Sequence, residues 1–194
     1  MAQRVIGGNL ANHRNKLGFV HIPKCAGCAI TEYLHNIGRW RSVDNDKKTF
    51  AAEPLITEGY VNYKLFTVIR HPVTWILSGY KFYKQRRNYM LSFDEHVDSL
   101  VYNTDPNISN IGDWRWHCKM LPDLHISTAS VKVFKLEELY KLPEYLSEYF
   151  PYAKSFEVVV DNATDPEHIE ISSNTMNKIK TFAGSYAEKF EYEL

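Results

Sequence analysis

The chain has 194 residues, 44% of them apolar, and its 23 basic and 23 acidic side chains cancel to a formal net charge of zero. That length supports one globular domain with a core of its own over 1–194, and the balanced charge removes any bulk electrostatic case for a nucleic-acid partner or a polyanionic glycan. No run approaches the roughly 20 apolar residues of a membrane span, no signal-peptide core precedes residue 17, and three cysteines are an odd count for a disulfide framework, so a reducing, cytoplasmic setting is expected.

Residues 1–16 read as an N-terminal extension. From Leu17 to Ile22 the chain is apolar and partly β-branched, as a buried strand is. Pro23 cannot donate to a sheet ladder and ends it. Ala26 and Gly27 have almost no side chain, so a ligand can come close to the backbone there. From Cys28 a helix carries Ile30, Leu34 and Ile37 at helical spacing, with Gly38 as its stop. Residues 39–63 are mixed and polar, a loop with at most one short helix or strand. Lys64 to Ile69 is a second strand, closed by Arg70-His71-Pro72, and proline suits the first position of the helix that follows. Trp75, Ile76, Gly79, Tyr80 and Tyr83 make that helix's apolar face, while Lys81, Lys84, Arg86 and Arg87 read as a solvated one.

Ser92 and Glu95 form a capping box in front of a helix with Val97, Leu100 and Val101 on its apolar side. Asn103 to Asp113 has the composition of a loop. Trp114 to Leu121 is aromatic and helical, with Trp114 and Trp116 as core. Val131 to Phe134 is a third strand, Leu136 to Phe150 a helix packed through Leu139, Leu142, Leu146 and Phe150, and Phe156 to Val160 a fourth strand. Ser172 to Phe190 closes the chain as a helix with Met176, Ile179, Ala183, Tyr186 and Phe190 on one stripe.

Strands alternating with helices argue for an α/β domain, a three-layer sandwich with a mainly parallel central sheet. Ligands of such sheets bind beyond the carboxyl ends of the strands. Lys24 and Arg70 both follow strand ends and are expected on one rim. A strand, a small-residue turn and a helix N-terminus aim N–H groups and a positive dipole end at one point, and Lys24 adds a full charge. That is an anion site.

The stretch His21-Ile22-Pro23-Lys24-Cys25-Ala26-Gly27-Cys28 resembles the phosphosulfate-binding loop of sulfotransferases that use 3′-phosphoadenosine 5′-phosphosulfate (PAPS), the Golgi-type carbohydrate enzymes among them. Cys25, Ala26 and Cys28 stand where that family has Thr, Gly and Thr or Ser, and a thiol at 28 donates more weakly than a hydroxyl. Arg70 with Ser78, eight positions on, is similar to the family's 3′-phosphate motif: a guanidinium pairs bidentately with a phosphate and a hydroxyl adds a directional donor. Phe134 to Leu139 and Tyr186 to Tyr192 resemble its strand-to-helix junction and aromatic closing segment.

The resemblance implies a P-loop-NTPase-like sulfotransferase fold. It also implies transfer of a sulfuryl group from PAPS to the hydroxyl or amine of a small-molecule or carbohydrate acceptor, without a metal. It assigns Lys24 the leaving-group charge, and Lys24, Cys25, Ala26, Gly27, Cys28, Ala29, Arg70 and Ser78 the nucleotide. Many relatives carry His-x-Thr-Ala-x-Glu before the second motif. Here Lys48-Thr49-Phe50-Ala51-Ala52-Glu53 corresponds, with lysine for histidine, so Glu53 is a candidate base, with His117 and His96 behind it.

Two other readings stay open. A homologue that binds nucleotide without turnover fits Cys25, Ala26, Cys28 and the missing histidine. Cys25-Ala26-Gly27-Cys28 between a strand and a helix also has the form of a thiol oxidoreductase motif. Zinc would need a second ligand pair, for which Cys118 with His117 or His125 is the available source, at a spacing unlike a zinc finger.

Overall fold

The strand expected at the head of the chain forms as β2 (Leu17–Val20), yet it is not the first. A computed structural model of the chain describes residues 8–43, 59–86, 89–102, 121–126, 129–158 and 169–194. Within them, Leu10–Asn12 forms β1, inside the stretch read as an extension. Leu10 and Ala11 are buried, so two apolar residues suffice to hold a strand that lies between others. β1 runs antiparallel to β2, with Leu10 opposite Phe19, and antiparallel to β3 (Arg41–Ser42), with Leu10 opposite Ser42.

The longer strands are parallel. β2 pairs with β4 (Lys64–Ile69), Val20 opposite Thr67, and β4 pairs with β5 (Val131–Lys135), Ile69 opposite Lys135. The sheet order is β3-β1-β2-β4-β5, so an α/β sheet that is parallel through β2, β4 and β5 carries two short antiparallel strands at one edge. Each residue of β4 after Lys64 is buried, on both faces of the pleat, as suits a central parallel strand. The Thr67 hydroxyl donates to the Val20 carbonyl at 2.7 Å and so needs no water there.

The chain divides into two compact units, one of residues 1–69 and 122–162, the other of residues 70–121 and 163–194. The first unit contains the sheet, α1 (Gly27–Ile37) and α4 (Lys141–Ser147). Alternate residues of β2 and β4 (Leu17, Phe19, Phe66, Val68) form one core with Ile30, Tyr33 and Leu34 of α1 and Leu142 and Leu146 of α4. Gly38 ends α1, but in an extended conformation rather than a left-handed one. Its missing side chain has another reason: a Cβ there would stand 2.5 Å from the Phe150 ring.

The helix expected over Leu136 to Phe150 is broken. Leu136–Glu138 forms a single 3-10 turn and α4 begins at Lys141. Pro143 explains this, because a proline is tolerated in the first turn of a helix and clashes with the preceding turn further in. The core positions are unchanged: Leu139, Leu142, Leu146 and Phe150 are all buried. Phe156, Glu157 and Val158 join no strand; Phe156 is extended, but it and Glu157 are exposed and give a strand no buried face. Val159 and Val160, the rest of the expected fourth strand, lie outside the described residues.

The second unit packs α2 (Pro72–Arg86), α3 (Phe93–Tyr102) and α5 (Ser173–Lys189) together. Trp75, Ile76, Tyr80 and Tyr83 are the buried face of α2, and Ile179, Ala183 and Tyr186 that of α5. The capping box forms in both directions: the Glu95 N–H donates to Ser92 Oγ at 3.3 Å and the Ser92 N–H to Glu95 Oε2 at 2.7 Å. Ser172 caps α5 on the Thr175 N–H at 3.1 Å. The Thr175 hydroxyl in turn reaches Asp94, and Lys178 pairs with Asp98 at 2.5 Å, so α3 and α5 are joined by polar contacts at their edge. Among the described residues no helix is long and apolar enough to cross a membrane.

Candidate functional site

The turn after β2 is tight and strained. Val20, His21 and Ile22 are buried, and the Cys25 N–H donates back to the Ile22 carbonyl at 3.4 Å. Lys24 (φ 66°) and Ala26 (φ 57°) both adopt the left-handed conformation that disfavours any residue with a Cβ. Ala26 is the N-cap of α1, and no side chain caps the helix there. Such a helix end presents N–H groups and the positive end of the dipole to an anion in front of it. Lys24 is half-buried beside it. Lys24, Cys25, Ala26, Gly27, Cys28 and Ala29 thus form one continuous loop and first helical turn.

The members of that loop do different things. Cys25 is 1% exposed, so its side chain belongs to the interior and only its backbone can serve a ligand. Cys28 is exposed on the first turn of α1. Among the described residues neither thiol forms a disulfide. Gly27 departs from its expected role. The space its missing side chain leaves is not open to a ligand, because a Cβ at 27 would stand 1.9 Å from His21 Nε2. The imidazole fills it.

His21 is itself held from two sides. The Gly8 N–H donates to its Nδ1 at 3.2 Å, and the His21 N–H donates to Oδ1 of fully buried Asn9 at 3.0 Å. Since Nδ1 accepts, the neutral ring carries its proton on Nε2, the atom that faces Gly27. Burial lowers the His21 pKa to about 4, and the nearby His125 pushes it the same way. The ring is neutral at physiological pH. It acts as an uncharged wedge between the end of β2 and the start of α1.

Arg70 and Ser78 belong to the second unit. Arg70 follows the last residue of β4, and its backbone carbonyl accepts the hydroxyl of Tyr186, a fully buried residue of α5, at 2.7 Å. Its Nε donates to Thr74 Oγ1 at 3.0 Å, and that hydroxyl donates to the His71 carbonyl, also at 3.0 Å. Thr74 and Ser78 are one turn apart on the same face of α2. Ser78 is buried, with 7% of its surface exposed. His71 Nε2 bonds the Glu193 carbonyl at 2.8 Å, and its ring meets Tyr192 edge-on at 5.3 Å, so the aromatic closing segment clasps the residue beside Arg70. Thr74 and Tyr186 as supports of Arg70 go beyond the sequence expectations. The spacing of Arg70, Thr74 and Ser78 carried the signal for one of them.

The candidate bases divide. His96 is 2% exposed, shares a hydrogen bond at 3.0 Å with the Tyr89 hydroxyl, and lies 5.5 Å from the Tyr80 ring and 5.9 Å from that of Tyr83. It is a core histidine. Glu53 and His117 lie outside the described residues, as do Cys118, Trp114, Trp116 and the stretch 48–53. Among the described residues no group of three or more His, Cys, Asp or Glu is placed to hold a metal ion. Compared with family models, with curated proteins and with solved structures, the chain matches none.

Proposed function

We propose that the chain is a PAPS-dependent sulfotransferase of P-loop-like three-layer fold. It transfers a sulfuryl group from PAPS to the hydroxyl or amine of a small-molecule or carbohydrate acceptor and releases 3′,5′-bisphosphoadenosine. The observation that carries this reading is the turn between β2 and α1, where Lys24 and Ala26 take up left-handed strain at a helix N-terminus without a side-chain cap. Strain of that kind persists where the surroundings over-determine it, and it is concentrated at ligand sites. A phosphate group satisfies that end. Arg70, braced by Thr74, suits a second phosphate.

In this reaction the acceptor O–H or N–H bond breaks, its proton passing to a general base for which Glu53 and His117 are the candidates, while a bond from that oxygen or nitrogen to sulfur forms. The bond from sulfur to the 5′-phosphate oxygen breaks, and its electron pair stays on that oxygen. Lys24 and the α1 dipole stabilise the charge that develops there. Backbone N–H groups carry the part that a hydroxyl at position 28 fills in the family pattern, since the exposed Cys28 thiol is a weak donor. The same cysteine favours the second reading, a nucleotide-binding homologue without turnover. Calorimetric titration with 3′,5′-bisphosphoadenosine tests the site. Micromolar binding that is lost in Lys24→Ala and in Arg70→Ala supports it, and no binding to the reduced wild type ends it. Incubation with PAPS and an acceptor panel then separates turnover from binding alone.

A further inference from the structure

We infer that a cavity at the opposite end of β2 from Lys24 binds a small ring-bearing ligand with two or more phosphate or sulfate groups. The cavity, about 1160 Å³, lies within the first unit, and residues 12–15, the turn that leads into β2, form one wall. β2 is four residues long, which sets the cavity roughly 13 Å from the anion loop along the strand. It is therefore separate from the site proposed for PAPS.

Three arginines line it: Arg14 from the β1–β2 turn, Arg39 just past α1, and Arg41 in β3. All three are exposed, and among the described residues none pairs with a carboxylate. Between Arg39 and Arg41 the Trp40 side chain turns inward, its ring 5.8 Å from Phe150 and 6.0 Å from Phe66. Residues alternate in an extended stretch, so burying Trp40 presents both neighbours on the outer side. The rest of the lining mixes polar side chains, Asn12, His13 and Asn15 among them, with an apolar part made by Ile37, Phe150 and Pro151.

The walls are tied together before any ligand arrives. Asn12, 3% exposed, donates from Nδ2 to the Arg39 carbonyl at 2.9 Å and accepts the Asn15 N–H on Oδ1, also at 2.9 Å. Asn15 Nδ2 reaches the Tyr149 carbonyl at 3.2 Å. The Tyr149 hydroxyl accepts from Lys64 Nζ at 3.0 Å. Planar guanidinium forks match tetrahedral oxyanions bidentately, and several converging on one cavity ask for several anionic groups. The apolar floor and the volume exceed what a lone inorganic ion fills, and they suit a sugar or a heterocycle.

The test is calorimetric titration of the full chain at about 0.15 M salt, where exposed charges are screened beyond roughly 8 Å. The probes are inorganic tripolyphosphate and a disulfated disaccharide, and the comparison is with the triple variant Arg14→Gln/Arg39→Gln/Arg41→Gln. Binding of at least one probe, weakened about tenfold or more in the triple variant, is the expected result. The tighter probe identifies the phosphate or the sulfate source. The conservative Arg→Lys triple variant keeps the charge and loses the fork, and it is expected to bind more weakly than wild type. Equal affinity of wild type and the Gln variant, or no binding of either probe, overturns the proposal. The arginines do not touch the Lys24 loop, so these outcomes are independent of those with 3′,5′-bisphosphoadenosine.

Discussion

His21 and Gly27 share one space: the imidazole Nε2 stands 1.9 Å from where a Cβ on residue 27 would be. The overlap cannot be relieved by swinging a flexible tip away, because the His21 ring is buried and held through Nδ1 by the Gly8 N–H. Gly27→Ala is therefore expected to cost about 1–3 kcal/mol of stability, the range for overpacking a well-packed site. His21→Ala alone opens a cavity, but it makes room for the new methyl. In a double-mutant cycle by urea denaturation, the pair should be less destabilised than the sum of the single variants by about 1 kcal/mol or more. Strict additivity would show that the ring does not occupy the glycine's place.

The same burial sets a pH dependence. His21 titrates at about 4 in the folded chain against an ordinary value of 6.5. A histidine whose folded pKa is depressed binds its proton more readily in the unfolded state. Stability is thus full above about pH 6.5 and falls as pH drops toward 4, by about 3 kcal/mol if the whole shift is expressed. Below that, both states are protonated and the loss levels off. Denaturation midpoints of wild type and His21→Gln, measured across this window, check it. The wild-type curve should slope more steeply, and parallel curves would assign the acid sensitivity to other groups.

Ala26 offers a test with the opposite sign. It holds φ 57° and ψ 22° at the N-cap of α1. A Cβ in that region costs roughly 1–2 kcal/mol. Glycine removes the cost, is a better N-cap than alanine, and adds a smaller entropic penalty in the unfolded chain. Ala26→Gly should raise the thermal midpoint by the equivalent of about 0.5–1 kcal/mol. A lower midpoint would mean that the turn does not hold this residue left-handed.

What was legible in the sequence and what was not follow from how local each signal is. β2 and β4 carry unbroken apolar runs, and the helices carry their stripes and capping boxes, so each shows in its own stretch. β1 and β3 are three and two residues long. They exist because β2 offers Leu10 and Ala11 a place to be buried, which no local pattern announces. The helix after β5 is shorter than its leucine spacing predicts, because that spacing continues across the 3-10 turn while Pro143 decides where the helix itself begins. At the site, Lys24 and its turn were visible as a motif. That Gly27 accommodates a histidine rather than a ligand depends on a contact between two elements, and so does the tie from Tyr186 to Arg70 across 116 positions of the chain. The arginine cavity draws on three separate stretches, each unremarkable alone.

Arg70 depends on two supports that can be removed without touching its charge. Thr74→Val keeps the side-chain volume and takes away the acceptor of its Nε, and Tyr186→Phe takes away the donor to its carbonyl. Each loss of a hydrogen bond costs about 1 kcal/mol of stability, and Tyr186→Phe should show that cost in full, since Tyr186 is completely buried. The effect on nucleotide separates function from packing. If the guanidinium binds a phosphate of 3′,5′-bisphosphoadenosine, a misplaced fork forfeits bidentate geometry, and Thr74→Val should raise the dissociation constant about tenfold with a small change in thermal midpoint. Thr74→Ser restores the hydroxyl and should recover most of the affinity. Should Thr74→Val bind as wild type does, the contact between Arg70 and Thr74 is a structural one, and the phosphate role assigned to Arg70 loses its support.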